Sequence, residues 1–148
     1  MMIKKTNIFV ALATLLLAAM ALAACSKEET KMPSGTISDF RVLALDFTKS
    51  LAARDYPKAY AMTSQEYRKK ISVDHLRTRF ETIVPLDWGP IGPIQVGETM
   101  TTWPGKKSSD LGWACVSIGG NMYSEAIILI VTLDNGEQKI REVEFGRP

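Results

Sequence analysis

Residues 125–133 read EAIILIVTL, and no other stretch constrains the fold of this chain as tightly. Successive side chains of a strand point to opposite faces of a sheet. Ile127, Leu129 and Val131 therefore face one way, and Ala126, Ile128 and Ile130 face the other. Both sets are apolar, so both faces of this strand need a cover. Turn formers bracket it, Gly119-Gly120-Asn121 before and Asp134-Asn135-Gly136 after, and the second group tolerates the positive φ of a tight hairpin. The pattern predicts about four antiparallel strands: IQVGETMTTW (94–103), WACVSI (113–118), MYSEAIILIVTL (122–133) and EQKIREVEF (137–145). Between the first two, PGKKSSDLG reads as an exposed, turn-rich connection.

The cover for one face lies upstream. Phe40, Leu43, Ala44, Phe47 and Leu51 recur at helical spacing, with Ser38 or Asp39 placed to cap the start. Asp55-Tyr56-Pro57 restarts a short helix, since proline is tolerated in a first turn. Thr63-Ser64-Gln65-Glu66 matches a capping box. Ser72 caps a further helix, VDHLRTRFETI, with Val73, Leu76, Phe80 and Ile83 inward. Pro85, Gly89, Pro90, Gly92 and Pro93 then end all helical character. The result is an α+β chain, with N-terminal helices packed on the sheet. Helices cover one face only. The other needs a neighbouring subunit, giving a homodimer through the sheet, or long neighbouring side chains and chain ends.

At the amino terminus Lys4 and Lys5 precede an uncharged apolar run from about Ile8 to Ala24, and polarity returns at Ser26. The run is near or slightly short of the ~20 residues of a membrane span, and its small C-terminal residues suit a processing peptidase. Leu22-Ala23-Ala24-Cys25 resembles the lipobox of bacterial lipoprotein signal peptides. The resemblance implies cleavage between Ala24 and Cys25, acylation of Cys25 and stable membrane anchoring through two or more acyl chains. Ser26 is similar to the residue found in lipoproteins sent to the outer membrane, where the host has two membranes. The chain then divides into a signal peptide (1–24), a lipidated polar tether (25–38) reaching at most about 40 Å and a folded domain (39–148). Without Lys4 and Lys5 the 18 basic residues become 16, against 16 acidic. That balance offers no electrostatic footprint for nucleic acid. With Cys25 lipidated, Cys115 has no disulfide partner inside the chain and reads as a packed, inert thiol.

The order of elements, the step Arg54-Asp55-Tyr56-Pro57-Lys58-Ala59-Tyr60 and the closing IREVEF together resemble the nuclear transport factor 2-like superfamily. The resemblance covers about residues 39–145 and implies a cone, helices folded over a bent sheet with a pocket at the wide end. Such domains include isomerases and cyclases, and also many binding and assembly modules, so fold alone does not choose among them. An enzyme of the ketosteroid-isomerase or polyketide-cyclase type needs an acid or histidine facing the pocket. His75 lies beside the apolar stripe of its helix and reads as a surface or rim residue, and Glu125 opens its strand within reach of water. Asp87, beside Trp88, is the better rim candidate. One histidine and one remaining thiol build no zinc site. No P-loop, dinucleotide or nucleophile-elbow motif is present, so no cofactor is expected. Arg68-Lys69-Lys70 reads as a cationic helix end.

Trp113, within a strand, is expected in the core. Trp88 and Trp103 flank proline- and glycine-rich turns, which favours partial exposure, and tryptophan is enriched at binding hot spots. Trp88, Trp103, Asp87 and Tyr60 are therefore the candidate contacts for a ligand or partner. The sequence points to a non-enzymatic, lipid-anchored cell-envelope domain that binds a small apolar ligand or an envelope protein. The rivals are an immunity or enzyme-inhibitor lipoprotein, with Trp103-Pro104-Gly105-Lys106-Lys107 as the inserting loop, and a cofactor-free pocket enzyme.

Overall fold

Four helices precede the sheet among the described residues, and each begins on a side-chain cap. In the computed structural model, which describes residues 39–121 and 123–146, Asp39 accepts from the Arg41 amide to start α1 (Phe40–Ala52). Asp55 accepts from the Lys58 amide to start α2 (Tyr56–Ala61). Ser64 accepts from the Tyr67 amide to start the single turn α3 (Gln65–Arg68), and Ser72 from the His75 amide to start α4 (Val73–Ile83). These bonds satisfy amides that have no partner inside the helix. Cleavage and lipidation at Ala24 and Cys25, the leader and the tether lie outside the described residues.

The capping box expected at Thr63 is not formed. Thr63 is occupied in a parallel bridge to Ile140 and donates its hydroxyl to the Tyr60 carbonyl, so the cap moves one residue on to Ser64. Glu66 turns away to Lys70 and Lys107 (3.1 and 2.9 Å). Between α1 and α2, Arg54 adopts a left-handed backbone (φ 60°), a strained state for a residue with a Cβ. Its guanidinium holds that turn in place, donating to the Val84 carbonyl at 2.9 Å and lying 5.0 Å over the Phe80 ring.

After a 3₁₀ turn (Leu86–Trp88) the chain enters one antiparallel sheet in the order β1-β2-β3-β4: Ile91–Met100, Asp110–Gly120, Ser124–Asp134 and Glu137–Phe145. The four expected strands are present and the sheet is open. Asn135 and Gly136 both take positive φ in the two-residue hairpin between β3 and β4, as the Asp-Asn-Gly signal requires. Several boundaries differ from the sequence reading: β1 ends at Met100, which leaves Trp103 in the following loop, and β3 spans Ser124–Asp134 in place of 122–133. β1 begins earlier, at Ile91, and takes in Gly92 and Pro93; proline is admissible there because β1 is an edge strand and its register shifts at this point. β2 begins at Asp110, not Trp113, and runs through Gly120, so Gly119 and Gly120 are strand residues. A Cβ on Gly120 would stand 2.2 Å from the Tyr123 ring, which explains the glycine.

Among the described residues, α1, α3 and α4 pack on one sheet face. Phe47, Leu51, Leu76 and Phe80 are fully buried there against Ala114, Val116 and Ile118 of β2, Ile127, Leu129 and Val131 of β3, and Ile140 of β4. Each such aliphatic side chain contributes about 1.5–3 kcal/mol by leaving water. Phe40 fixes the start of α1 over β2, its ring occupying the space a Cβ on Gly112 would need. The opposite residues Ala126, Ile128 and Ile130 are only 8%, 8% and 9% exposed within a single chain. Trp113 and Cys115 belong to this outer face and are half-buried, not core as expected. Ala114 and Val116, alternating with them, take the inward positions. Partial burial, with the nearby Glu98 charge, pushes the Cys115 thiol pKa up.

Candidate functional site

The outer sheet face carries a cleft of about 280 Å³ at the β1–β2 end. Its apolar lining is Trp103 from the β1–β2 loop, Trp113 from β2 and Ile128 and Ile130 from β3. The register sets this floor, because Cys115 pairs with Ile128 and Trp113 with Ile130. The loop reverses at Gly105 (φ 83°), and the Lys106 amide donates to the Trp103 carbonyl at 3.3 Å. The Lys106 ammonium lies 5.5 Å from the Trp103 ring centroid and donates to the Thr101 carbonyl at 2.6 Å. One lysine thus bonds the backbone carbonyls of Thr101 and Trp103 and lies over the indole. Arg141, Glu142 and Glu144 of β4 complete the rim.

Arg141 is anchored from below. Its Nε and Nη2 donate to the two oxygens of Asp110, each at 2.9 Å, and its Nη1 donates to Glu142 at 3.1 Å. The Asp110 and Arg141 side chains are 0% and 9% exposed. Burial pushes the Asp110 carboxyl pKa up, but the paired bonds from Arg141, the Lys107 amide and the Arg141 charge outweigh it and hold the group below its usual range. The rim cation is therefore neutralised, and the apolar floor is the chemically distinctive part of this cleft.

A second cleft, about 360 Å³, lies where Tyr67 of α3, Ile71 and Arg79 of α4 approach Val143 and Glu144 of β4; Glu66, Lys70, Arg141 and Glu142 edge it. Tyr67 is 5% exposed, and its hydroxyl has no hydrogen-bond partner among the described residues. Burial drives its pKa up to about 12, with the Arg79 charge opposing.

The predicted contacts do not converge on one place. Trp103 lines the outer-face cleft, as does Trp113. Trp88 is 39% exposed in the 3₁₀ turn and lies 5.5 Å from Tyr123. Tyr123 sits beside Gly120, seven β2 residues or roughly 23 Å from Trp113. Asp87 is exposed next to Trp88. Tyr60 is a strut, its hydroxyl donating to the Ile71 carbonyl at 2.9 Å and thereby tying α2 to the start of α4. His75 is exposed on α4, and Glu125 is half-buried opposite Ile118.

Tyr67, Arg79, Arg141, Glu142 and Glu144 were not candidates from the sequence. The alternation Glu142-Val143-Glu144-Phe145 carries a signal for the last two, since it sends both carboxylates to one face. Among the described residues no group of three or more His, Cys, Asp or Glu stands ready to hold a metal ion, and no helix is long and apolar enough to cross a membrane. No protein-family model, curated protein or solved structure matches this chain.

Proposed function

We propose that this chain is a lipid-anchored cell-envelope binding domain, held to the membrane through acylated Cys25, whose outer-face cleft takes a small apolar ligand. The observation that carries the reading is that Trp103, Trp113, Ile128 and Ile130 line one cleft, on the sheet face the helices leave free. Ligand sites are concave, with apolar walls and a few polar groups that fix orientation; this cleft joins two indoles and two isoleucines to Arg141, Glu142 and Glu144, its polar atoms supply more of the exposed surface than its apolar ones, and its volume falls just below the usual range. The α+β order supports a nuclear transport factor 2-like domain, though here the cleft lies outside the helix-covered face. In a host with two membranes, Ser26 directs the protein to the outer membrane. An envelope protein stacking on the same indoles, or a second copy of the chain, is the alternative occupant.

Native mass spectrometry of the full chain extracted from its own envelope tests the binding half. A co-purifying small molecule lost in Trp103→Ala is expected; a bare monomer would overturn the small-ligand reading, and a dimer lost in Trp113→Ala would replace it with self-association. Metabolic labelling with a radioactive fatty acid tests the anchor. Cys25→Ser should abolish label, and full labelling of that variant removes the lipoprotein assignment.

A further inference from the structure

We propose that the outer-face cleft selects a small organic cation with a methylated ammonium group, held by the rings of Trp103 and Trp113 and attracted by the carboxylates of Glu142 and Glu144. The inference deepens the apolar-ligand reading and rests on it. Two features of the lining point to it, the aromatic walls and the sign of the rim. Trp103 and Trp113 are each half-buried, so both indoles keep accessible surface where they line the cleft. Of all side chains, tryptophan presents the ring face most attractive to a cation. Trp103 already holds one, the Lys106 ammonium at 5.5 Å from its centroid, and Lys106 stands outside the lining of the cleft.

The rim is anionic once its pairings are counted. Arg141 bonds both oxygens of Asp110 and one of Glu142. With Glu144, three carboxylates stand against one guanidinium, which leaves two negative charges. Glu144 is exposed and forms no ion pair with any described residue. The register sets Glu144 opposite Ile128 and Glu142 opposite Ile130, and directly opposed Cβ atoms lie about 5 Å apart. Across the sheet, Glu98 of β1 also lacks an ion pair, and its charge reaches Cys115, the partner of Ile128. Lys106 offsets only one of these charges.

This mixture discriminates among ligands. An anion meets carboxylates, and a neutral apolar molecule leaves their attraction unused. A primary ammonium is compact and strongly hydrated, and indoles and isoleucines offer no acceptors to replace its water. A methylated ammonium has few or no N–H groups to satisfy. Its methyl groups suit Ile128, Ile130 and the indoles, while its charge suits the ring faces and the rim. About 280 Å³ has room for a trimethylammonium group and a short stem.

The test is isothermal titration of the full chain in dodecyl maltoside micelles with choline. Two partial copies of choline serve as controls: 3,3-dimethyl-1-butanol, which keeps the methyl groups without the charge, and ethanolamine, which keeps the charge without the methyl groups. Choline should bind with a millimolar or tighter Kd, and both controls at least about fivefold more weakly. Trp103→Ala should weaken choline binding about tenfold, and Trp103→Phe, which keeps a ring face, should retain more of it. Glu144→Gln should weaken it about two- to fivefold and reduce its loss between about 20 and 500 mM sodium chloride, since added salt screens exposed charges. Arg79→Gln, in the other cleft, should leave the affinity unchanged. Absence of choline binding overturns the proposal, as does wild-type affinity in Trp103→Ala. Ethanolamine binding as tightly as choline overturns the role of the methyl groups. Binding of 3,3-dimethyl-1-butanol as tightly as choline overturns the cation and leaves the apolar-ligand reading standing. That reading falls separately, on a bare monomer in native mass spectrometry.

Discussion

Replacing Arg141 with methionine strands a carboxylate inside the protein. The Asp110 side chain is completely buried and receives both Arg141 nitrogens at 2.9 Å, with the Lys107 amide at 2.8 Å and the Thr132 hydroxyl as further donors. Removing one partner of such a pair costs about 3–5 kcal/mol, mainly because the remaining charge is buried without compensation. Total stabilities of 5–15 kcal/mol make that a large fraction. At about 4 °C per kcal/mol for a domain near this size, Arg141→Met should lower Tm by about 12–20 °C at pH 7.

The pH dependence separates this mechanism from a packing defect. In the wild type the folded Asp110 pKa lies below its unfolded value, so its contribution is fully present above about pH 4 and is lost as pH falls through the folded pKa. In Arg141→Met, burial becomes the larger influence and the folded pKa rises above the unfolded one. Protonation then favours the folded state, so the variant regains stability as pH falls from 7 toward 5. Circular-dichroism melts at the two pH values should show the Tm gap narrowing on acidification. A double variant, Asp110→Leu with Arg141→Met, should recover most of the loss, because apolar replacements of a buried pair are often neutral. A loss below about 1 kcal/mol at neutral pH, or a Tm gap that stays constant between pH 7 and 5, would refute the reasoning.

Two further substitutions probe the packing beneath the clefts. Gly112→Ala places a methyl group 2.4 Å from Phe40 ring atoms and should cost about 1–3 kcal/mol by overpacking; urea denaturation should show a lower midpoint at unchanged slope, and Phe40→Leu in the same background should restore much of it. Leu129→Ala, at a fully buried position in an interior strand, should cost about 2–5 kcal/mol, read from the same denaturation curves.

Local signals were the legible ones. The stripe of α1, the Ser72 cap, the helix break after Pro85 and the Asp-Asn-Gly hairpin are each decided within a few residues. The misreadings all have causes distant in sequence. Thr63 lost its capping role to a bridge with Ile140. Asp110 reads as a turn former, yet it begins β2 because Arg141, 31 residues on, supplies its counter-charge. Trp113 was expected in the core because it lies within a strand, but its size excludes it. β2 passes beneath the Phe40 ring, where even a Cβ on Gly112 would collide, so the small and aliphatic members of the alternation turn inward and the indole turns out.

The same distinction governs the two clefts. Alternation along 142–145 shows that Glu142 and Glu144 share a face, but not that Arg141 spends its charge on Asp110 and Glu142 while Glu144 keeps its own. A site defined by which charges lack a partner depends on pairings across the whole fold, and no window of sequence contains them. The two clefts also share Arg141, Glu142 and Glu144 as a common wall. A substitution in β4 therefore perturbs both, whereas Trp103 belongs to one cleft and Arg79 to the other. Those two positions, and not the shared wall, are where an effect on binding can be assigned to a single site.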